Sequence, residues 1–336
     1  ELRWEKSGTA NAGIDFSSKA NIISGSIEYY FKKGKDLFGP AILDYTGGVG
    51  PSITKNVAGM KGHGFDIELR SRNFDKTFKW QTNLNFSTFK DEITDYYKST
   101  ERGSDFINTY SNIRISGLEG KPVYAIYSYK WAGLDPLTGE PRGYLDNNLS
   151  TDYSSLTGTA TGLEDLKYHG SAMPAVFGSL GNTFSWKNIS MNFAFTYKFS
   201  YYFRRESINY SNLFINWQSH SDFGKRWQQP GDETSTNVPA LVYPTTTAKN
   251  NFYAGSEVLV EKGDHIRLQY INLSYELNRT ALLKLPVRNL VVFTNISNLG
   301  LIWKASKEAR DPDYNYGSYR VLPSKMYAIG IRTNLN

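Results

Sequence analysis

The residues with chemistry to offer are few and scattered. The four histidines, His63, His169, His220 and His265, are isolated, and none has the spacing of a metal or catalytic pair. The chain has no cysteine, so a disulfide frame, a thiol nucleophile and a cysteine zinc site are all unavailable. "GGVGP" (residues 47–51) is rich in glycine but lacks the strand before and helix after that a phosphate cradle needs. "DPDYN" sets Asp311, Asp313 and Asn315 at alternate positions, as a calcium loop does. Position six of that loop would be Tyr316 rather than Gly, and position twelve Leu322 rather than Glu. A plain loop turn is the favoured reading and calcium the lesser one. The sequence therefore predicts no enzyme, no resident metal and no cofactor.

Aromatic side chains are the denser signal. The stretch 204–263 holds Tyr210, Trp217, Trp227, Tyr243, Phe252 and Tyr253, and 300–324 holds Trp303, Tyr314, Tyr316 and Tyr319. Flat rings stack on sugar faces or pack against peptide side chains. Packing of long loops on themselves is the alternative use. Trp217, Trp227, Tyr243, Tyr253, Trp303 and Tyr316 are the candidate contact residues.

What must position them is β-structure. In "SMNFAFTYKFSYYF" (190–203), Met191, Phe193, Phe195, Tyr197, Phe199 and Tyr201 alternate with Asn192, Ala194, Thr196, Lys198 and Ser200. The period is two, which is a strand. Similar alternation predicts strands over 7–17, 21–33, 59–72, 77–88, 123–134, 140–145, 175–186, 189–203, 264–277, 288–299 and 325–335. That makes about eleven strands and almost no helix. The apolar phase slips between Tyr270 and Ile271, which predicts a bulge. "SSKAN", "NFDKT", "DPLTG" and "KN" read as tight turns, and 278–288 as a somewhat longer one. The stretches 34–57, 89–122, 146–174, 204–263 and 300–324 read as long loops.

Loops of that length are uncommon in compact soluble domains. Their alternation with short turns puts every long loop at one end of the sheet. Outer-membrane barrels are built this way, with short periplasmic turns and long extracellular loops. Several strands also exceed the five or six residues usual in soluble sheets, at roughly ten to fourteen. The Phe and Tyr side then faces lipid and the polar side a wet lumen. Asp66, Glu68, Arg70 and Arg72 share one side, which suits a lumen because basic side chains facing lipid at mid-depth cost about 2–4 kcal/mol. A soluble antiparallel sheet with one wet face is the rival.

Composition permits this. Aromatics make up 15% of the 336 residues, with 24 Tyr, 19 Phe and 7 Trp. The mean hydropathy of −0.48 looks soluble, yet a membrane strand is only half apolar and passes unnoticed in such an average. No run of about 18 apolar residues is present, so no membrane helix is expected. The net charge of +6 is modest and its Lys and Arg are interspersed with Asp and Glu, so no nucleic-acid partner is expected. The chain opens at Glu1 with no signal peptide. Bacterial single-chain barrels have even strand numbers, so an odd count predicts a piece of a larger barrel.

Several stretches resemble SusC/RagA-type TonB-linked outer-membrane proteins of Bacteroidetes. "LRWEKSGTANAGIDFS" from Leu2, "ISGSIEYYFKKGKDLF" from Ile23, and "GMKGHGFDIELRSRN" with "FKWQTNLNFSTFKDEI" follow the order of that family. So do "YSYKWAGLDPLTGEPRGY" from Tyr127, "KRWQQPGDETSTNVPAL" from Lys225 and "EKGDHIRLQYINLSYEL" from Glu261. "GHG" at 62–64 departs from the family's usual "NKG", and the terminal "RTNLN" lacks the aromatic that ends many such barrels. The resemblance implies a plugged barrel of about 22 strands, of which residues 1–336 are the C-terminal part without plug or TonB box. It implies import of glycan or peptide across the outer membrane, with a SusD-like lipoprotein as lid and TonB acting through the N-terminal part. The loop aromatics would then contact substrate or lid. A surface carbohydrate-binding or adhesin domain and a passive porin are the alternatives.

Overall fold

The computed structural model describes residues 2–42, 52–97, 102–107, 115–277, 287–307, 311–314 and 321–335. Among these, one antiparallel sheet of nine strands dominates. The strands are β1 (Lys6–Ser17), β2 (Ile23–Ile42), β3 (Ser52–Asp75), β4 (Phe78–Tyr96), β5 (Val176–Trp186), β6 (Ile189–Phe199), β7 (His265–Leu277), β8 (Val287–Lys304) and β9 (Met326–Leu335). Each pairs with its sequence neighbour, so the sheet is an up-and-down meander open between β1 and β9. No described helix is long and apolar enough to cross a membrane.

The expected alternation of sides persists across the whole sheet. Ile14 faces Ile27, Ile27 faces Ile67, and Ile67 faces Phe86. One row on, Leu84 faces Leu180, Leu180 faces Phe195, and Phe195 faces Leu268. On β7 to β9, Ile271 faces Ile296 and Ile296 faces Tyr327. The opposite side repeats polar partners: Glu68 with Asn85, Asn85 with Ser179, and Asn192 with Asn272 and Thr183. Side-chain bonds knit it, with Asn272 Nδ2 donating to Asn192 Oδ1 at 2.9 Å and Asn85 Nδ2 to Ser179 Oγ at 3.0 Å. A one-residue slip would exchange the two sides, so the pattern pins the register.

The bulge falls one residue before the expected slip, at Gln269. Ala194 pairs with Tyr270 and Phe195 with Leu268, leaving Gln269 unpaired. Its amide donates to Thr196 Oγ1 at 2.8 Å. The extra residue lets Leu268 and Ile271 share the apolar side although they are three apart. Rings also cover two glycines. Tyr30 lies over Gly64 and Tyr197 over Gly178, and their hydroxyls donate to the Thr88 and Asn85 carbonyls at 3.2 and 2.9 Å. A Cβ at either glycine would come within 2.5 Å of the covering hydroxyl. Aromatic cover of this kind offsets the weakness of glycine in a strand.

Three sequence expectations are corrected. Stretches 123–134 and 140–145 are not wall strands. Only Ala125–Tyr129 and Gly143–Leu145 are extended, and they pair with Leu166–Ser171 and Asn148–Ser150 in small sheets inside the β4–β5 connection. Ala125–Tyr129 is buried along its whole length, unlike any wall strand, because loop structure covers both its faces. "DPLTG" is therefore a turn within that connection, and the described wall has nine strands rather than eleven. With nine wall strands the connections still alternate between the two ends of the sheet. Segments 18–22, 76–77, 187–188 and 278–286 join strands at one end, and 43–51, 97–175, 200–264 and 305–325 at the other. Second, 34–57 is less a loop than a strand continuation, since β2 and β3 stay paired out to Ile42 and Ser52. Third, 189–203 breaks at Ser200, whose φ of 63° turns the chain out of β6.

Arginine at Leu84 should cost about 2–4 kcal/mol of folding stability in a bilayer, whereas arginine at Asn85, on the polar side, should cost far less. Urea titration of the full-length protein folding into phospholipid vesicles measures both. Equal costs would contradict the assignment of sides.

Candidate functional site

The core among the described residues lies in the long connections, not in the wall. Segments 97–175 and 200–264 fold together into a cap. Phe252, wholly buried, sits with Phe106, Tyr127, Tyr129, Leu156 and Leu166 of the other segment. Its ring stacks with Tyr129 at 5.6 Å and Trp131 at 6.4 Å. A second cluster joins Ile208, Tyr210, Val238, Tyr253 and Leu259, and a third joins Leu134, Trp227 and Ala240. Trp131 packs against all three clusters and ties the cap into one body.

Two of the motifs quoted above meet here. In "DPLTG", Asp135 Oδ1 accepts from the Leu137 and Thr138 amides, both at 2.9 Å, which closes the turn. Gly139 follows with φ of 67°, where a side chain would be strained, and its position abuts the Trp227 ring so closely that a Cβ would overlap it. In "RWQQPGD", Asp232 Oδ2 accepts from the Gln228 and Gln229 amides. Glu233 Oε2 accepts from Trp227 Nε1 at 3.1 Å and the Gly231 amide at 2.8 Å, fixing the indole against Gly139. The Ala240 amide donates to the Gly139 carbonyl at 3.0 Å. The first motif is the seat of the second.

Buried charge reinforces the join. Arg204, 1% exposed, donates to the carbonyls of Tyr127, Ser256 and Ala254. Arg205 reaches Asp222 Oδ2 at 2.6 Å and Glu261 Oε1 at 3.3 Å. Burial works to raise the Asp222 pKa, but hydrogen bonds from Ser207 and Arg205 hold it below the usual carboxylate range. Burial, with the Arg204 and Lys167 charges, pushes His169 down to about 4, and its Nε2 lies 2.7 Å from Ser128 Oγ.

The candidate aromatics separate by position. Trp227 and Tyr253 are 8% and 4% exposed, so they serve the cap's own cores. Trp303 is not in a loop: β8 extends to Lys304, Trp303 pairs with Ile266, and its ring lies 6.3 Å from Phe199 on the apolar side of the wall. Tyr316 and Asn315 lie outside the described residues. Trp217 and Tyr243 are 89% and 77% exposed. Trp217 ends the helix Tyr210–Asn216 in the left-handed region, at φ of 56°, which is an outlier for so bulky a residue. Asn209 caps the start of that helix. Phe214 from the helix meets the Tyr243 ring edge-on at 5.1 Å, so helix and segment 241–243 present Ile215, Trp217, Leu241, Val242 and Tyr243 on the cap surface.

The carboxylates weighed for calcium are engaged by cations instead. Arg267 donates to Asp311 Oδ1 at 2.6 Å and to Asp313 Oδ2 at 3.3 Å. Lys198 donates to Asp313 Oδ1 at 2.7 Å, and His265 Nε2 lies 3.1 Å from Asp313 Oδ2. Burial opposes ionisation of Asp313, yet the bonds from His265 and Lys198 hold its pKa far below the usual range. The cluster ties the β8–β9 connection to the ends of β6 and β7. No group of three or more metal-ligating side chains occurs among the described residues. A cavity of about 650 Å³ lies beside it, with Arg267, Glu206, Asn298, Asp311, Tyr314 and Lys325 in its walls.

No protein-family model matches the chain. It is 24% identical over 331 residues to TonB-dependent receptor P3 of Formosa agariphila, covering 94% of this chain and 31% of that protein. It is 28% identical over 139 residues to TonB-dependent receptor SusC of Bacteroides thetaiotaomicron, covering 38% of this chain and 14% of SusC. The RagAB peptide importer in its 'open-open' state superposes with a TM-score of 0.73 at 21% identity, over 100% of this chain and 35% of that one. The chain resembles a SusC/RagA-type barrel. It spans about a third of the length of the curated relatives it matches over nearly its full extent. The nine strands are accordingly outer-membrane barrel wall, with segments 97–175 and 200–264 forming a cap at one end. Trp131 and Arg204 carry that cap beside Phe252, and of the three only Phe252, one of the loop aromatics, stands out in the sequence. The sequence signals available were a Trp beside the "AGLDP" turn and a tandem Arg pair at the end of a strand.

Alanine at Gly139 should loosen the cap by about 1–3 kcal/mol through overlap with Trp227 and backbone strain. Faster proteolysis within 97–175 and 200–264, with the wall's heat-resistant gel mobility retained, is the expected result. His169 gives a pH dependence of known sign. Its pKa in the cap, about 4, lies below the ordinary 6.5, so its share of stability is present above 6.5 and is lost as pH falls toward 4. Corrected for the intrinsic pH dependence of amide exchange, the protection of segment 166–171 should therefore fall between pH 7 and 5, and less so in His169→Gln.

Proposed function

We infer that residues 1–336 are the C-terminal part of the barrel of a TonB-dependent importer, with plug and TonB box carried elsewhere in the protein. The reading is transport rather than catalysis. Its partners are a SusD-like surface lipoprotein acting as lid, TonB acting through the N-terminal part, and outer-membrane lipid around the wall. The cargo is an oligomer, glycan or peptide. What carries the reading is a sheet apolar on one side and polar on the other, with its two largest connections packed into one cap, in a chain similar to SusC and to the RagAB peptide importer.

Within this reading the exposed rings of Trp217 and Tyr243 contact cargo or lid, while Trp227 and Tyr253 act indirectly by holding the cap that presents them. A strained, exposed tryptophan is retained in a fold when it has a surface to meet. Trp303 has the interfacial role of an aromatic girdle residue beside Phe199.

Double replacement of Trp217 and Tyr243 by alanine in the full-length protein should leave barrel assembly intact. Uptake of the oligomer that supports growth should fall roughly tenfold or more, since aromatic anchors of this kind carry about 2 kcal/mol or more each. Co-purification of the lipoprotein separates the two contacts: loss of association points to the lid, and retained association with lost uptake points to cargo. Unchanged uptake and association would remove this role from both rings.

A further inference from the structure

Toward the cap end, the apolar side of β2, β3 and β4 changes character within two rows. Ala10, Phe31, His63 and Lys90 form one cross-strand row, and Gly8, Lys33, Lys61 and Glu92 the next. No register shift intervenes between these rows and the apolar rows Tyr29–Phe65 and Ile27–Ile67–Phe86. The lysines therefore stand on the same side as the apolar band, directly beyond its end. Lys33 and Lys61 are direct cross-strand partners, and like charges so placed repel. The one carboxylate in the two rows, Glu92, lies 3.3 Å from Lys61. Lys33, His63 and Lys90 are exposed, and Lys61 is 42% exposed at its side chain.

The patch is local. On β6, β7 and β8 the side chains that close the apolar side toward the cap are Tyr197, Phe199, Ile266 and Trp303, with no charge among them. A generic polar rim would run around the whole wall; this one lies on β1–β4, where Lys6 and Lys35 form the next row on the same side. A lysine here lays its alkyl stem along the apolar band and lifts its ammonium to the headgroup level. The ammonium is a compact point charge suited to phosphate, and one anion between Lys33 and Lys61 relieves their repulsion.

We propose that Lys33, Lys61 and Lys90 bind the phosphate of a lipid headgroup in the outer leaflet, the acyl chains of that lipid lying on the Ile27–Ile67–Phe86 rows below. The site is a lipid site rather than a free-anion site because its charge continues an apolar surface that hydrocarbon covers. It rests on the reading of that side as membrane-facing.

The test uses full-length protein in detergent, incubated in turn with lipid A, dephosphorylated lipid A and inorganic phosphate, with retained adducts read by native mass spectrometry. Lipid A should be retained by the unaltered protein, and dephosphorylated lipid A and inorganic phosphate should not. The triple variant K33Q/K61Q/K90Q should retain about tenfold less lipid A or worse. E92Q should retain more, because it removes the competing carboxylate. Equal retention of lipid A with and without phosphate, or by the triple variant and the unaltered protein, overturns the proposal. Inorganic phosphate binding as well as lipid A overturns the lipid source. Heat-modifiable gel mobility checks that the triple variant folds; if it does not, K33Q and E92Q, with their opposite expected signs, decide. Failure of the membrane-wall reading would appear separately, as a protein that stays monodisperse without detergent.

Discussion

A backbone crossing hydrocarbon has no water to turn to, so each amide and carbonyl must find its partner in an adjacent strand. Almost everything in this chain follows from that demand. The strands are long because the span is long, and they pair only with sequence neighbours because a meander closes each ladder without crossing the apolar slab. Side chains then have two destinations, lipid and lumen, and the period of two becomes visible in every strand. Where the chain must break the period, at Gln269, it spends an extra residue on a bulge rather than present a polar side chain to lipid.

The connections obey a different rule. Short ones at one end only have to reverse the chain. The long ones at the other end stand in water and must assemble a core of their own, which few loops manage. They succeed by pooling apolar residues from two segments: Phe252 from one enters a pocket of aromatics from the other, and Trp131 touches every cluster. The buried cations then act as specificity devices. Arg204 binds carbonyls from both segments, so a wrongly docked segment would strand its charge. Gly139 does the same by shape, since only a glycine leaves room for the Trp227 indole.

Charge is distributed by the same geometry. Carboxylates and cations meet where strands leave the slab, as in the Asp311–Asp313–Arg267–Lys198–His265 cluster that anchors the last connection. Lysines on the outward side appear past the apolar rows, on β1 to β4. The same boundary on β6 to β8 is marked by rings. The wall thus meets its surroundings with two kinds of rim.

The sequence by itself determined the class of fold, which side of each wall strand is apolar and which polar, the bulge to within one residue, and the placing of the longest connections at one end. Those properties are local: a period of two and a run of turn residues depend on nothing distant. Tertiary structure decided what the sequence left open. The alternation in 123–134 and 140–145 is indistinguishable from that of a wall strand, and only enclosure by the rest of the cap makes these segments loop sheets. Trp217 and Trp227, alike in sequence, part company because Gly139, far away in the chain, leaves a hollow that accepts one of them. Trp303 reads as loop until β8 is seen to run on beside it, because strand length past the membrane edge is set by the partner strand and not by the residues themselves.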